Sequence, residues 1–363
     1  MRSKLLAAVG VLTAMVATTN ADTTKGTPEI KSVTAMAFSP TGTLFVGDPE
    51  GAAVFAIDVA EKAAPATTPL NVEKLDSKIA GVIGSKEADV TIRDMKVNPA
   101  TGSVYLAVTR GKTNGTPALI RVTRAGTVEA VALKDVAFSK VGITDPFDPA
   151  TAKDEKAKKN KRNDRASTIT QLAFVDGKVM VAGLSGEEFA STLRTFAYPF
   201  KEADKGAGLQ IYHGAHGALE TQAPIRTFVP YKTEKEQTIL AAYTCTPLVR
   251  IPVADLKAGA KVKGRTIAEL GNMNTPLDMI TYTKDGKDFI LMANTARGVM
   301  KIPTGGVDTA EPITARTDIA GVKYEKIADL ENVKQLDKLD DKRAVLLIQA
   351  KDGPVSLKTI DLP

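Results

Sequence analysis

The chain has 363 residues, 43% hydrophobic and 25% charged, with a formal charge of +6, no Trp and a single cysteine, Cys245. That is enough chain to bury a sizeable core. It excludes an internal disulfide and any haem or iron–sulfur site that needs several cysteines. No apolar run of 18 residues follows the N-terminal segment, so a mature transmembrane span is not expected.

Residues 1–21 read as a secretory signal. Arg2 and Lys4 precede the apolar run Leu5 to Ala17, and Thr19-Asn20-Ala21 offers a small residue at the cut. The mature chain, residues 22–363, is expected to be periplasmic or secreted. No Cys follows the apolar run, so lipid anchoring has no attachment point.

Six stretches of the mature chain can be superposed. They begin Val33-Thr34-Ala35-Met36, Ile92-Arg93-Asp94-Met95, Ile169-Thr170-Gln171-Leu172, Ile225-Arg226-Thr227-Phe228, Pro276-Leu277-Asp278-Met279 and Val333-Lys334-Gln335-Leu336. The fourth column is always large and apolar, and the third is small or polar. A long-period repeat of this kind marks a propeller or solenoid. Each stretch is followed by a turn and a second apolar strand. Ser39-Pro40-Thr41-Gly42 leads into Thr43 to Gly47, Asp176-Gly177 into Lys178 to Ala182, and Asp285-Gly286 into Lys287 to Met292. Gly and Asp supply the positive φ angles of tight hairpins. Third strands follow, such as Ala53 to Ile57 and Gly298 to Ile302. Fainter fourth strands include Arg265 to Leu270 and Glu325 to Leu330.

The expected fold is therefore all-β: one propeller domain of six four-stranded blades, with seven as the alternative. The last strand, Ser356 to Leu362, is a third strand. The N-terminal segment near Gly26 to Lys31 is the expected donor of the missing fourth, closing the ring and removing its edges.

Residues 139–166 interrupt the pattern. Asp145-Pro146-Phe147-Asp148-Pro149 is turn-rich. From Lys153 to Arg165 seven basic residues stand against Asp154, Glu155 and Asp164. The expectation is a solvated, mobile loop, with a docking arm for an acidic partner as the alternative. Because the basic excess sits in this one loop, a nucleic-acid-binding face is not expected.

The phrase Phe38-Ser39-Pro40-Thr41-Gly42-Thr43-Leu44-Phe45-Val46 resembles the strand-turn-strand unit of bacterial periplasmic propellers of the YVTN, NHL and quinoprotein-amine-dehydrogenase-like groups. Those groups include lactonases, dehydrogenase subunits and binding modules. The resemblance implies fold and no catalytic residues.

Two constellations carry chemistry. The first is Tyr212-His213-Gly214-Ala215-His216-Gly217-Ala218-Leu219-Glu220, which holds both histidines of the chain. Propeller geometry puts it on the same rim as Cys245 and Met273. Imidazole, thiolate and thioether suit copper or zinc. The alternative is structural: the histidines bind loop backbone and Cys245 is a small buried hydrophobe. The second is the channel, ringed by Asp94, Gln171, Thr227, Asp278 and Gln335, where Asp94 and Asp278 with Asn272 and Asn274 could hold calcium. The alternative there is water, or an internal ion pair with Arg93.

The leading functional expectation is a module that binds a protein partner or small ligand on its rim through His213, His216, Glu220 and Arg226, with Asp94, Asp278, Gln171 and Gln335 in the channel. The alternatives are a lactonase-like hydrolase using an axial cation, and an accessory subunit of periplasmic redox chemistry with copper held by His213, His216 and Cys245.

Overall fold

A computed structural model describes residues 23–61, 69–111, 115–351 and 353–363. The signal segment lies outside the described residues.

Six sheets form six blades, antiparallel except where Lys261–Lys263 runs parallel to Ala207–His213, and they hold three to six strands rather than the expected four throughout. Their inner strands are Ala35–Phe38, Val90–Val97, Gln171–Val175, Thr227–Lys232, Pro276–Lys284 and Val333–Lys338, the six superposed stretches. We number the blades I to VI by these strands. The fourth-column residues Met36, Met95, Leu172, Phe228, Met279 and Leu336 are all buried, as expected for inter-blade core. Hairpin turns fall at the Gly and Asp positions read from the sequence, with Gly42 at φ 91° and Asp176-Gly177 at 47° and 74°.

The blades do not follow one another around the ring in chain order. Blade I touches blade II through Met36 N–H and Asp94 Oδ2 (2.6 Å). Blade II touches blade VI through Val97 N–H and Asp337 Oδ2 (2.7 Å). Leu336 N–H to Asp278 Oδ2 (3.4 Å) links VI to V, and Cys245 N–H to the Asn274 carbonyl (2.7 Å) links IV to V. Thr170 Oγ1 donates to the Ile225 carbonyl between III and IV (2.7 Å). Thr34 Oγ1 donates to the Ile169 carbonyl between I and III (2.8 Å). The circle is I–II–VI–V–IV–III. Gly47 confirms the I–III contact: a Cβ there would lie 2.7 Å from Ile169 Cγ2, so only glycine fits against the neighbouring blade.

This order changes how the ring closes. The N-terminal strand Thr24–Gly26 does not complete the last blade. It pairs with Val136 to Phe138 as a fifth strand on blade I. Blade I gets its fourth strand, Val136–Gly142, only after the chain has built all of blade II. The outer edge of blade VI is covered instead by Leu70 to Val72, in the connection from I to II. Val72 and Leu357 exchange backbone hydrogen bonds of 3.0 and 2.9 Å, and Thr359 Oγ1 and the Leu70 carbonyl meet at 2.8 Å. The helix Leu75–Ile83 then packs Leu75 and Ile79 against the apolar core between blades II and VI. Two edges are thereby covered by strands borrowed across the seam, which is what an open blade requires.

The 139–166 segment is not a free loop. Ser139 to Gly142 belong to the fourth strand of blade I. Phe147, Ala152 and Ala157 pack with Leu184 and Ala190 of blade III. Asp154 caps the short helix Glu155–Lys159, accepting from Lys156 and Ala157 N–H at 3.0 Å. Arg194, fully buried, pairs with Asp145 at 3.0 Å. On this anchored insertion Lys153 pairs with Glu187 (2.9 Å) and Lys158 with Glu155 (3.3 Å), while Lys156 and Lys161 are exposed.

Val72→Pro removes one of the two backbone bonds on the blade VI edge and leaves the Leu357 carbonyl without its donor. A loss of about 1–3 kcal/mol is expected from urea midpoints. Deleting residues 22–26, which add only a short outer strand, should cost markedly less. The reverse ranking would contradict this closure.

Candidate functional site

The channel does not assemble the cation site expected there. Asp94 Oδ2 accepts from Met36 N–H and Oδ1 from Met95 N–H (2.9 Å). Asp278 Oδ1 accepts from Met279 N–H (2.9 Å) and Oδ2 from Leu336 N–H. Gln171 Oε1 accepts from Phe228 N–H. The third-column side chain thus reaches the fourth-column backbone of the next blade. Gln335 Nε2 donates to the Arg93 carbonyl (2.8 Å), and Thr227 is buried. Lys96 stands where the cation was expected, with Nζ 3.3 Å from Asp278 and 3.7 Å from Asp94. Arg93, the ion-pair partner suggested by the sequence, instead directs Nε to Thr109 Oγ1. Asn274 is committed elsewhere: Nδ2 donates to Asn294 and Oδ1 accepts from Ala296 N–H.

Lys96 and Asp337 were missed by the sequence reading. They share the column after the apolar one, where the other blades carry Ala37, Ala173, Val229 and Ile280. Two opposite charges in an otherwise apolar column were the available signal. Burial alone would lower the Lys96 ammonium, but Asp278, Asp94 and Asp337 more than reverse this and raise it. Burial pushes the Asp94 carboxyl up to about 7, with Lys96 opposing. Asp278 and Asp337 are raised for the same reason. A cavity of about 570 Å³ lies at this level of the channel, lined by Lys96, Asp337, Phe38, Phe174, Met279 and Asp341 among others.

The rim constellation does come together. His213 ends the strand Ala207–His213 of blade III, and a tight turn through Gly217 (φ 66°) returns the chain to Ala218–Glu220. Glu220 then faces both histidines. Its Oε2 is 2.9 Å from His213 Nδ1, and its Oε1 is 2.6 Å from His216 Nδ1. The two rings lie 3.9 Å apart. Burial would raise Glu220, but the hydrogen bonds from His213 and His216 outweigh it and hold the carboxyl below its usual range. With both Nδ1 atoms taken, each ring keeps Nε2 for another partner. His213 Nε2 is buried without a hydrogen-bond partner.

Cys245 arrives from the 243–246 turn of blade IV. One ligand atom from each of His213, His216 and Cys245 can be chosen so that all lie within 4.8 Å of one another. Among the described residues this is the one group of three or more His, Cys, Asp and Glu side chains so arranged. Cys245 (φ 63°) and Thr246 (φ 62°) are both left-handed, which is costly for a β-branched residue. The Asn274 carbonyl on Cys245 N–H and the Gly271 carbonyl on Thr246 Oγ1 (2.7 Å) hold them there. Behind the turn, Glu269 Oε1 accepts from Gly214 N–H (2.6 Å). Burial pushes that carboxyl up to about 7; Gly214 opposes the shift, and Glu220 and Asp318 add to it.

Met273 is near in sequence to these anchors but 85% exposed. Arg226 is exposed at the start of blade IV's inner strand and touches none of this cluster through a hydrogen bond or ion pair. Of the expected rim residues, the structure therefore brings together His213, His216, Glu220 and Cys245. Leu219, Met273 and Ile319 are three of the four large hydrophobics exposed among the described residues. Leu219 adjoins Glu220, Met273 adjoins Asn274, and Ile319 pairs with Leu270 on the blade IV edge.

No family model and no curated protein matches this sequence. Solved structures align over most of it at low similarity. The PQQ-bound aldose sugar dehydrogenase of Streptomyces coelicolor is 11% identical, covering 93% of this chain and 96% of that one, with a TM-score of 0.34. A putative oxidoreductase (glucose dehydrogenase) of Thermus thermophilus is 10% identical, covering 93% and 99%, with a TM-score of 0.29. A Hadza microbial sialidase is 12% identical, covering 91% of this chain and 65% of that one, with a TM-score of 0.36. At these identities no activity transfers; the propeller assignment stands on the six blades themselves.

Replacing Lys96 tests the channel. Lys96→Met strands three carboxylates and should cost about 3–5 kcal/mol near pH 8. The loss should shrink toward pH 5. The folded carboxyls titrate above their ordinary 3.8, Asp94 at about 7, so the folded state keeps protons that the unfolded chain sheds. Stability therefore falls as pH rises through that window. Equal losses at pH 5 and pH 8 in urea titrations would refute this reading.

Proposed function

We propose that this chain is an exported propeller that binds one transition-metal ion on its rim and presents it to a ligand or partner. His213 Nε2, His216 Nε2 and Cys245 Sγ are the ligands. The observation that carries this reading is the convergence of those three side chains within 4.8 Å while Glu220 engages both Nδ1 atoms. A carboxylate on the far nitrogen fixes the ring orientation and raises its basicity, the usual support for a metal-bound histidine. The buried, unpartnered Nε2 of His213 is otherwise an unexplained cost.

Two imidazoles and a thiolate favour zinc or copper over calcium or magnesium. Binding would release the Cys245 thiol proton, so affinity rises with pH. Leu219, Met273 and Ile319 are exposed on segments that carry or adjoin this cluster, which supports a contact role for the rim. In the channel, by contrast, the carboxylates are already occupied by Lys96 and backbone N–H groups, which leaves an axial-cation hydrolase without its ligands.

Metal-free protein titrated with Zn²⁺, Cu²⁺ or Co²⁺ should take up one equivalent. The Co²⁺ form should show a thiolate-to-metal charge-transfer band. Cys245→Ser should abolish the band, and Glu220→Gln should weaken binding about 10–100-fold. Uptake that is indifferent to both Cys245→Ser and His216→Ala would reject the site.

A further inference from the structure

We infer that the rim ion keeps an open coordination position and that this position is a subsite for a small oxyanion, oriented by Arg316. The inference rests on the metal reading above and specifies what that ion would bind.

The donor set is incomplete for a closed structural site. Structural zinc is almost always held by four protein ligands, whereas three protein ligands plus an exchangeable fourth define a reactive one. Here His213, His216 and Cys245 supply three. Glu220 spans the two Nδ1 atoms, and Glu269 places Oε1 on Gly214 N–H while its unpartnered Oε2 lies outside the group that converges within 4.8 Å. Met273, the remaining sulfur of this rim, is 85% exposed.

The open side faces solvent. The His216 side chain is 52% exposed, against 3% for His213, so one wall of the site is inside the protein and the other is accessible. A ligand can therefore reach the ion without unfolding the turn.

A cationic side chain is carried on the segment pinned beside the histidine turn. Arg316 lies across the His213–Gly217 turn. Its Cβ, Cγ and Cδ are 3.2–3.4 Å from the point where a Cβ on Gly217 would sit. Thr317 N–H donates to the Gly214 carbonyl (3.0 Å), pinning the segment that carries Arg316 to the histidine turn. Arg316 is exposed and makes no ion pair or side-chain hydrogen bond among the described residues. Gly217 at φ 66° lets the arginine stem lie flat on the turn, since any side chain there would push it away. From that stem the guanidinium would be within reach of the rim, and beside an open metal position it would favour a planar or tetrahedral oxyanion, which can give one oxygen to the ion and others to the fork of N–H donors.

The test uses the Co²⁺- or Cu²⁺-loaded full chain with azide as reporter and acetate and phosphate as competitors. Azide should perturb the metal's absorption or electron paramagnetic resonance spectrum, and both oxyanions should reverse the change. Arg316→Met should weaken anion binding about ten-fold with metal stoichiometry unchanged, and Arg316→Lys should recover part of it. A loaded protein whose spectrum ignores azide would overturn the inference while leaving the metal site standing. So would an azide response that appears only in Met273→Ala, because the thioether would then hold the fourth position. Failure to load any metal would overturn both.

Discussion

The ring is held at its centre by side chains that cross from one blade to the backbone of the next. Asp94 accepts from Met36 N–H, Gln171 from Phe228 N–H and Asp278 from Leu336 N–H, and in the column beyond, Asp337 accepts from Val97 N–H. Inner strands of neighbouring blades are too splayed to form a ladder, so each would otherwise leave N–H groups unpaired near the axis. The crossing carboxylates solve this but bring buried negative charge with them. Lys96 compensates it from blade II, close to Asp94 and Asp278 and raised by Asp337 as well. Remove the ammonium and the crossings become a repulsive cluster. The residue types that look like a cation site in the sequence are thus the fabric of the closed ring.

That closure has an uncommon route. Blades I and II are exchanged relative to chain order, so blade II sits between I and VI. Leu70 to Val72 cover the edge of VI, and Val136–Gly142 return to complete I. The exchange places long-range pairing early in the chain: Val72 is paired with Leu357. Contacts of such sequence separation form late and slowly, because loop closure precedes the gain. Blades III to V, consecutive in chain and in space, share one continuous apolar core and are the natural region to consolidate first.

The rim site depends on the same wheel. Its side chains come from two blades, and the Cys245 turn is fixed by the carbonyl of Asn274 at the start of a third. The left-handed backbone at Cys245, Thr246 and Met273 is tolerated because those neighbours over-determine it. Glu220 supplies the local organisation. One carboxylate, seven residues from His213 and four from His216, sets both imidazoles at once.

Much of this was legible in the residues. The six apolar fourth-column positions marked the inner strands and favoured six blades over seven, because a buried face repeats whatever the connection between blades. The Gly and Asp turns were readable for the same local reason. Both histidines and Glu220 stood within one phrase, so their meeting was readable locally, and the rim placement of Cys245 brought it to them. Tertiary structure alone decided the rest. Which blade neighbours which is set by long-range edge pairing that no local pattern encodes, so the exchanged order and the N-terminal strand's true partner were invisible. The anchoring of residues 139–166 turned on Phe147 and Ala157 finding blade III, against a composition that reads as solvated. The fate of the channel carboxylates turned on Lys96, a residue whose meaning depends on facing Asp278, 182 positions away in the chain. Sequence specified what each blade is; only packing across blades specified what its polar residues are for.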